Sequence, residues 1–159
     1  MPFEDLLAAD RIVILVDPVS RDLVLDAAAR LLAGGLGERT ESIARGLRER
    51  ERIATTAIGR GVALPHCRNN AYAQARGVFL RLEYPVDFSA RDGEPVDLVF
   101  AMSGPKDGDQ RHLQIMSALA QRFSDPQLRE TIREARDLRT IREALMSPSD
   151  ATIWNVATA

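Results

Sequence analysis

Two histidines, His66 and His112, are the side chains best suited to chemistry in this 159-residue chain. A neutral imidazole is both a nucleophile and a proton carrier near physiological pH. His66 lies in a segment punctuated by Gly59 and Gly61 and follows Pro65 directly. Proline fixes its own φ and restricts Leu64 before it, so the approach to His66 is stiff. The two glycines let backbone turn, or come close to a bound group. A reactive side chain on a rigid loop fits this pattern, and so does an ordinary surface histidine. His112 falls beside the apolar stripe of a predicted helix, near its N-terminal end, where a rim histidine is the plain reading. Neither residue has the HExxH spacing of a metal site.

The elements that must hold these residues follow from the hydrophobic pattern. Residues 12–16 (IVILV) predict a short buried strand. Ser20 caps a helix whose Leu23, Val24, Ala27, Ala28, Leu31 and Leu32 face inward, and Gly34–Gly35 stops it. A second helix spans about 40–52, with Ile43 and Leu47 inward and a charged RERER run at 48–52. The Gly- and Thr-rich stretch 55–66 predicts loop plus short strand. Residues 77–82, Val86–Phe88 and Val96–Met102 predict three strands, with a tight turn at Asp92–Gly93. A helix over 109–123 carries Leu113, Met116, Leu119, Ala120 and Phe123 on one stripe. Asp125–Pro126 opens the next helix. Asp137 begins the last, with Leu138, Ile141 and Leu145 inward, and Ser147–Pro148–Ser149 ends it before a loose tail, 147–159. The expected class is α/β: residues 1–159 as a single layered domain, a small mixed central sheet flanked by helices.

Composition narrows the function classes. Hydrophobic residues are 45% and charged residues 28%, an ordinary globular balance. A net charge of −2 gives no footprint for nucleic acid. The longest apolar run is IVILV, far below the ~20 residues of a membrane helix, so no membrane insertion is expected. The single cysteine, Cys67, cannot form an internal disulfide and has no companions for zinc. The acidic start MPFEDLLAADR lacks the basic region of a signal peptide. A cytoplasmic protein without cofactor or metal is the expectation.

The residues around His66 resemble a known signature. RE at 50–51, TT at 55–56 and GRGVALPHCR at 59–68 are similar to the phosphorylation-site pattern of the phosphotransferase-system enzyme IIA domains of the fructose/mannitol type, also called type 2. PVDF at 85–88 and DGEPVDLVFA at 92–101 resemble that family's central strands. His112–Leu113 and the helix containing LAQR at 119–122 resemble its downstream segment. The resemblance covers about residues 5–146. Within the family, a stand-alone chain of this length is most similar to the nitrogen-regulatory branch.

The resemblance implies that His66 accepts a phosphoryl group from an HPr-like phosphocarrier and that phosphorylation state then regulates partner proteins. Such transfer is mostly positioning and electrostatics around three equatorial oxygens. Arg50, as the arginine of the RE pair, would supply a guanidinium for phosphate. His112 would be the second histidine near the first. Thr56, and Thr55 beside it, would donate hydroxyl hydrogen bonds, or else cap loop backbone. Cys67 stands where the family usually has a small residue. Arg68 keeps the basic character expected for docking. Three other readings remain: a sugar-specific enzyme IIA serving a IIB component, a non-catalytic binding module of the same fold, and a hydrolytic or metal enzyme, for which the ligands are too few. Whether such a carrier counts as an enzyme, and which partners it regulates, the residues leave open.

Overall fold

The computed structural model describes residues 3, 6–8, 11–17 and 19–147. The predicted tail after Ser147 lies outside them. In chain order the elements are β1 (Ile12–Leu15), α1 (Arg21–Ala33), α2 (Glu38–Ile53), β2 (Ala57–Gly59), β3 (Val62–Ala63), β4 (His66–Arg68), β5 (Arg76–Val86), β6 (Val96–Gly104), α3 (Asp109–Phe123), α4 (Pro126–Glu134) and α5 (Leu138–Met146). Local chemistry sets the helix ends. The Ser20 hydroxyl accepts the Leu23 N–H at 3.2 Å, and Gly34 closes α1 in the left-handed region at φ 73°. Asp125 and Asp137 cap α4 and α5 through Gln127 N–H and Thr140 N–H.

The strands form one mixed sheet in the order β1-β5-β6-β3-β2, with β4 also on β6. β5 and β6 are an antiparallel hairpin, whereas β1 runs parallel to β5, and β3 and β4 run parallel to β6. Side chains alternate across the sheet. Phe79, Leu98, Phe100 and Met102 face α3, α4 and α5. Val78, Leu80, Val99 and Ala101 face α1 and α2. Covered on both faces, β6 is a nearly continuous run of buried residues, as is β5 from Gly77 to Leu80, whereas Glu83, Tyr84 and Pro85 near its end are exposed.

Several sequence expectations are corrected. Val86 is not the start of a separate strand; it ends β5 and pairs with Val96 across the hairpin. Phe88 is buried but lies beyond the strand, next to Ser89 at φ 56°. The 55–66 stretch holds two short strands and leads into β4, because Leu64–Pro65 interrupts the run along β6. Leu23, Leu113 and Leu138 are exposed by 55%, 68% and 46%, not inward. Leu23 and Leu138 lie in the first turn of their helices. On α3, Ile115 takes the buried place with Leu119 and Phe123.

Candidate functional site

The site forms where β4 passes between α2 and α3. Gly46 is the contact point with α2: a methyl there would lie 3.0 Å from Cys67 Cβ and 3.3 Å from its Sγ. Glycine inside a helix costs about 1 kcal/mol relative to alanine, and here it lets α2 lie close against the strand. The Met102 N–H donates to the Pro65 carbonyl at 2.9 Å, fixing β4 on β6. Cys67 points into the α1–α2 core, so strand alternation sends His66 to the other side. There it meets His112 of α3, with ring centroids 5.4 Å apart and planes at 53°. Gly104, ending β6, makes room for that second ring; a Cβ would sit 3.2 Å from His112 Nδ1.

The hydrogen bonds define which nitrogens are free. His66 Nδ1 lies 2.9 Å from the Leu64 carbonyl. A carbonyl only accepts, so Nδ1 carries the proton and Nε2 keeps its lone pair. Nδ1 of His112 is buried without a hydrogen-bond partner among the described residues. A buried N–H without an acceptor is rarer and costlier than a bare lone pair, so the His112 proton belongs on Nε2. The pair is therefore asymmetric: His66 offers a nucleophilic nitrogen and His112 a donor.

Both rings open onto a cleft of about 600 Å³, which Arg50, Arg68 and Asp109 also line. Ile53, 81% exposed, and Leu113, 68% exposed, give the cleft apolar side chains accessible to a partner surface. The Arg50 guanidinium donates to the Ala54 carbonyl at 2.7 Å, at the end of its own helix. Four other N–H groups remain for an anion. Arg68 pairs with Asp109 and donates to the Lys106 carbonyl at 2.6 Å, joining the end of β4 to the start of α3. It thereby helps to place His112.

Thr56 does not face this cleft as a lone donor. Its hydroxyl and its N–H both go to the Glu51 carboxylate, at 2.5 Å and 3.1 Å, and the residue is 6% exposed. Thr55 gives its hydroxyl to the Phe88 carbonyl and accepts the Ala57 N–H, which is loop capping. The Cys67 thiol is pushed up to about 11 by burial, so it holds almost no thiolate for an oxidant to attack.

Burial chiefly, and then positive neighbours, hold both histidines below the ordinary 6.5: Arg50 beside His66, and His66 and Arg68 beside His112. The unfolded chain then binds protons more readily than the folded one. Stability is expected to be full above the ordinary histidine range and to fall as pH drops below about 6.5. Urea midpoints measured at steps down from neutral pH check this, and a flat profile through the histidine range would contradict it. His66→Ala should flatten part of the slope.

The sequence pattern assigns no role to Gly46, Gly104 or Asp109, and none to Glu51 beyond its place in the RE pair. Gly46 left a readable signal, a lone glycine inside a strongly charged helix. Asp109 left none, since its partner Arg68 is remote in sequence. No group of three or more His, Cys, Asp or Glu that could hold a metal occurs among the described residues. No helix there is long and apolar enough to cross a membrane.

A mixed sheet covered by helices on both faces is shared with a known family. Residues 5–147 match the family model described as "Phosphoenolpyruvate-dependent sugar phosphotransferase system, EIIA 2", and the chain belongs to that family. It is 33% identical over 148 residues to the nitrogen regulatory protein of Bradyrhizobium diazoefficiens, covering 93% of this chain and 97% of that one. It is 34% identical over 124 residues to the fructose-specific EIIA component of the phosphotransferase system of Haloferax volcanii, covering 78% and 79%. The crystal structure of the nitrogen regulatory protein IIA-Ntr from Neisseria meningitidis superposes with a TM-score of 0.80 at 34% identity, covering 89% of this chain and 97% of that one.

Proposed function

We propose that this protein is a phosphocarrier of the nitrogen-regulatory kind. His66 Nε2 takes a phosphoryl group from an HPr-like phosphocarrier, and the phosphorylation state controls docking to regulated partners. The carrying observation is the bond from His66 Nδ1 to the Leu64 carbonyl, which leaves Nε2 as the one free nucleophile of the ring. Its neighbourhood suits the reaction. Nε2 attacks phosphorus in line with the departing donor nitrogen. His112 Nε2–H and the Arg50 guanidinium supply donors to the equatorial oxygens. Because Nδ1 already holds the proton, none has to move during uptake. The likeness to nitrogen regulatory proteins over nearly the full length of the chain supports the regulatory purpose.

The test is incubation with a phosphoenolpyruvate-driven donor chain ending in the HPr-like protein, then intact mass and site mapping. One acid-labile phosphoryl group on His66 is expected; phosphate elsewhere, or none, refutes the reading. Arg50→Ala and His112→Ala should each slow transfer about 10–100-fold, the loss of one charge-assisted or transition-state donor, while His66 still becomes labelled. Stopped-flow transfer kinetics measure this, and an unchanged rate in either variant removes that residue from the site. The likeness to a fructose-specific EIIA keeps a second reading, in which phosphate passes to a IIB component. Rapid transfer from the labelled protein to purified IIB domains would favour it.

A further inference from the structure

Beside the two histidines lies a second matched pair. His66 and Arg68 are two residues apart on β4, so both point away from the core that holds Cys67. Asp109 and His112 are three residues apart on α3 and share one face of that helix. The strand thus presents His66 and Arg68 to His112 and Asp109. The two rings face each other at 5.4 Å, and the Arg68 guanidinium contacts the Asp109 carboxylate. All four residues line the same cleft.

The join between β4 and α3 does not depend on that contact alone. Nη2 of Arg68 donates to the Lys106 carbonyl at 2.6 Å and ties the end of β4 to the start of α3 by itself. The Asp109 side chain is 79% exposed, and an ion pair so open to water is a weak hold. It nevertheless occupies a cation next to the reactive ring. Two residues of extended strand span about 6.5 Å, a separation that an arginine side chain bridges. The other charged side chains of the cleft do not compete for Arg68. Glu49 is exposed and forms no ion pair among the described residues, and Arg50 donates to the Ala54 carbonyl.

We infer that Arg68 and Asp109 form a latch that phosphorylation opens: the phosphoryl group on His66 takes Arg68 from Asp109, and the cost of opening the pair limits how firmly the carrier holds its phosphate. This rests on the phosphocarrier reading above. In the transfer the Nε2 lone pair forms the N–P bond, and the donor's N–P electrons return to the donor nitrogen. The cleft thereby gains a group of about −1.5 to −2 charge with three acceptor oxygens. One guanidinium cannot neutralise that group and a carboxylate together, and the phosphoryl oxygens are the stronger partner. Asp109, at the exposed start of α3, turns to water, while the Lys106 bond keeps β4 and α3 joined. A carrier must give up its phosphoryl group again, and an Asp109 that competes for Arg68 keeps that group exchangeable.

The experiment brings the full chain to equilibrium with the phosphorylated HPr-like donor and reads the phosphorylated fraction of each by phosphorus NMR. Asp109→Asn keeps the shape but not the charge, and should shift the equilibrium toward phosphorylated His66 about three- to tenfold. Asp109→Glu, which keeps the charge, should stay near wild type. In an Arg68→Gln background the Asp109→Asn gain should shrink to no more than about twofold, because salt screens a carboxylate that acts only through water. A purely structural role for Asp109 would slow transfer in both directions and leave the equilibrium unmoved; that result overturns the inference. So does an equal shift in Asp109→Asn and Asp109→Glu, or a full gain without Arg68. Inorganic phosphate added to the unphosphorylated chain, followed by the His66 and His112 ring signals, is an independent arm. Asp109→Asn should bind it about threefold more tightly than wild type, and Arg68→Gln should abolish that difference. The same affinity in both, or binding in neither, overturns the latch. If wild type takes no phosphoryl group on His66 from the donor, the phosphocarrier reading fails, and the phosphate arm still decides whether Asp109 and phosphate compete for Arg68.

Discussion

His66→Ala is expected to abolish phosphoryl acceptance altogether while leaving the fold in place. No other group can substitute. His112 has its Nδ1 buried, and the Nε2 proton assigned to it leaves no lone pair for attack. Cys67 is protonated and packed under α2. The structural loss is one hydrogen bond, from Nδ1 to the Leu64 carbonyl, worth about 0.5–1.5 kcal/mol. Against a typical stability of about 5–15 kcal/mol, the variant should remain folded with wild-type circular dichroism. Intact mass after exposure to the donor chain is the measurement. A phosphoryl group appearing in His66→Ala at the wild-type rate would remove the residue from its role and the proposed function with it.

How far the site was legible in the sequence depends on the range of the forces involved. His66 was legible because its setting is local: proline before it, glycines just upstream, and a signature around both. The helix caps at Ser20, Asp125 and Asp137 were legible for the same reason, since each bond spans three residues or fewer. The sheet order was not. β3 and β4 both lie on β6, far along the chain, and the break at Leu64–Pro65 hides that they share it. Residues 77–82 read as a strand, but Glu83, Tyr84 and Pro85 disguised its continuation to Val86. The helical stripes failed at their ends: Leu23 and Leu138 have the period of core residues, yet both are exposed, and Val24 and Leu25 on α1 and Ile141 on α5 take the buried places. Leu113 also has the period, but it lines the cleft beside His112. For Thr56 the sequence leaves two roles open, a hydroxyl donor at the phosphoryl site or a cap of loop backbone. Only the fold reveals that the carboxylate of Glu51 claims both of its donors.

Phe123→Ala is the substitution expected to unsettle the fold most while leaving the chemical groups of the site in place. Phe123 is 1% exposed. Its ring stacks parallel to Phe79 at 6.1 Å and meets Phe3 and Phe100 at 6.1 and 6.0 Å. It therefore joins α3 to the sheet and to the N-terminal segment at once. Truncating such a side chain removes its burial and leaves a cavity, for a loss of about 3–5 kcal/mol. The urea midpoint should fall by the corresponding amount with its slope unchanged. The consequences for transfer differ from those at the site itself. Phe123 and His112 sit near opposite ends of α3, and a helix rises 1.5 Å per residue, so the two are separated by about 16 Å. The His112 end has its own restraints, the Arg68–Asp109 pair and the Arg68 bond to the Lys106 carbonyl. His66 rests on β4, held by β6 and α2, and needs nothing from Phe123. At low temperature, where the variant stays folded, transfer per folded molecule should match wild type, and loss of activity on warming should track the unfolding curve. A slow transfer rate in fully folded Phe123→Ala would mean that packing at the far end of α3 sets the position of His112.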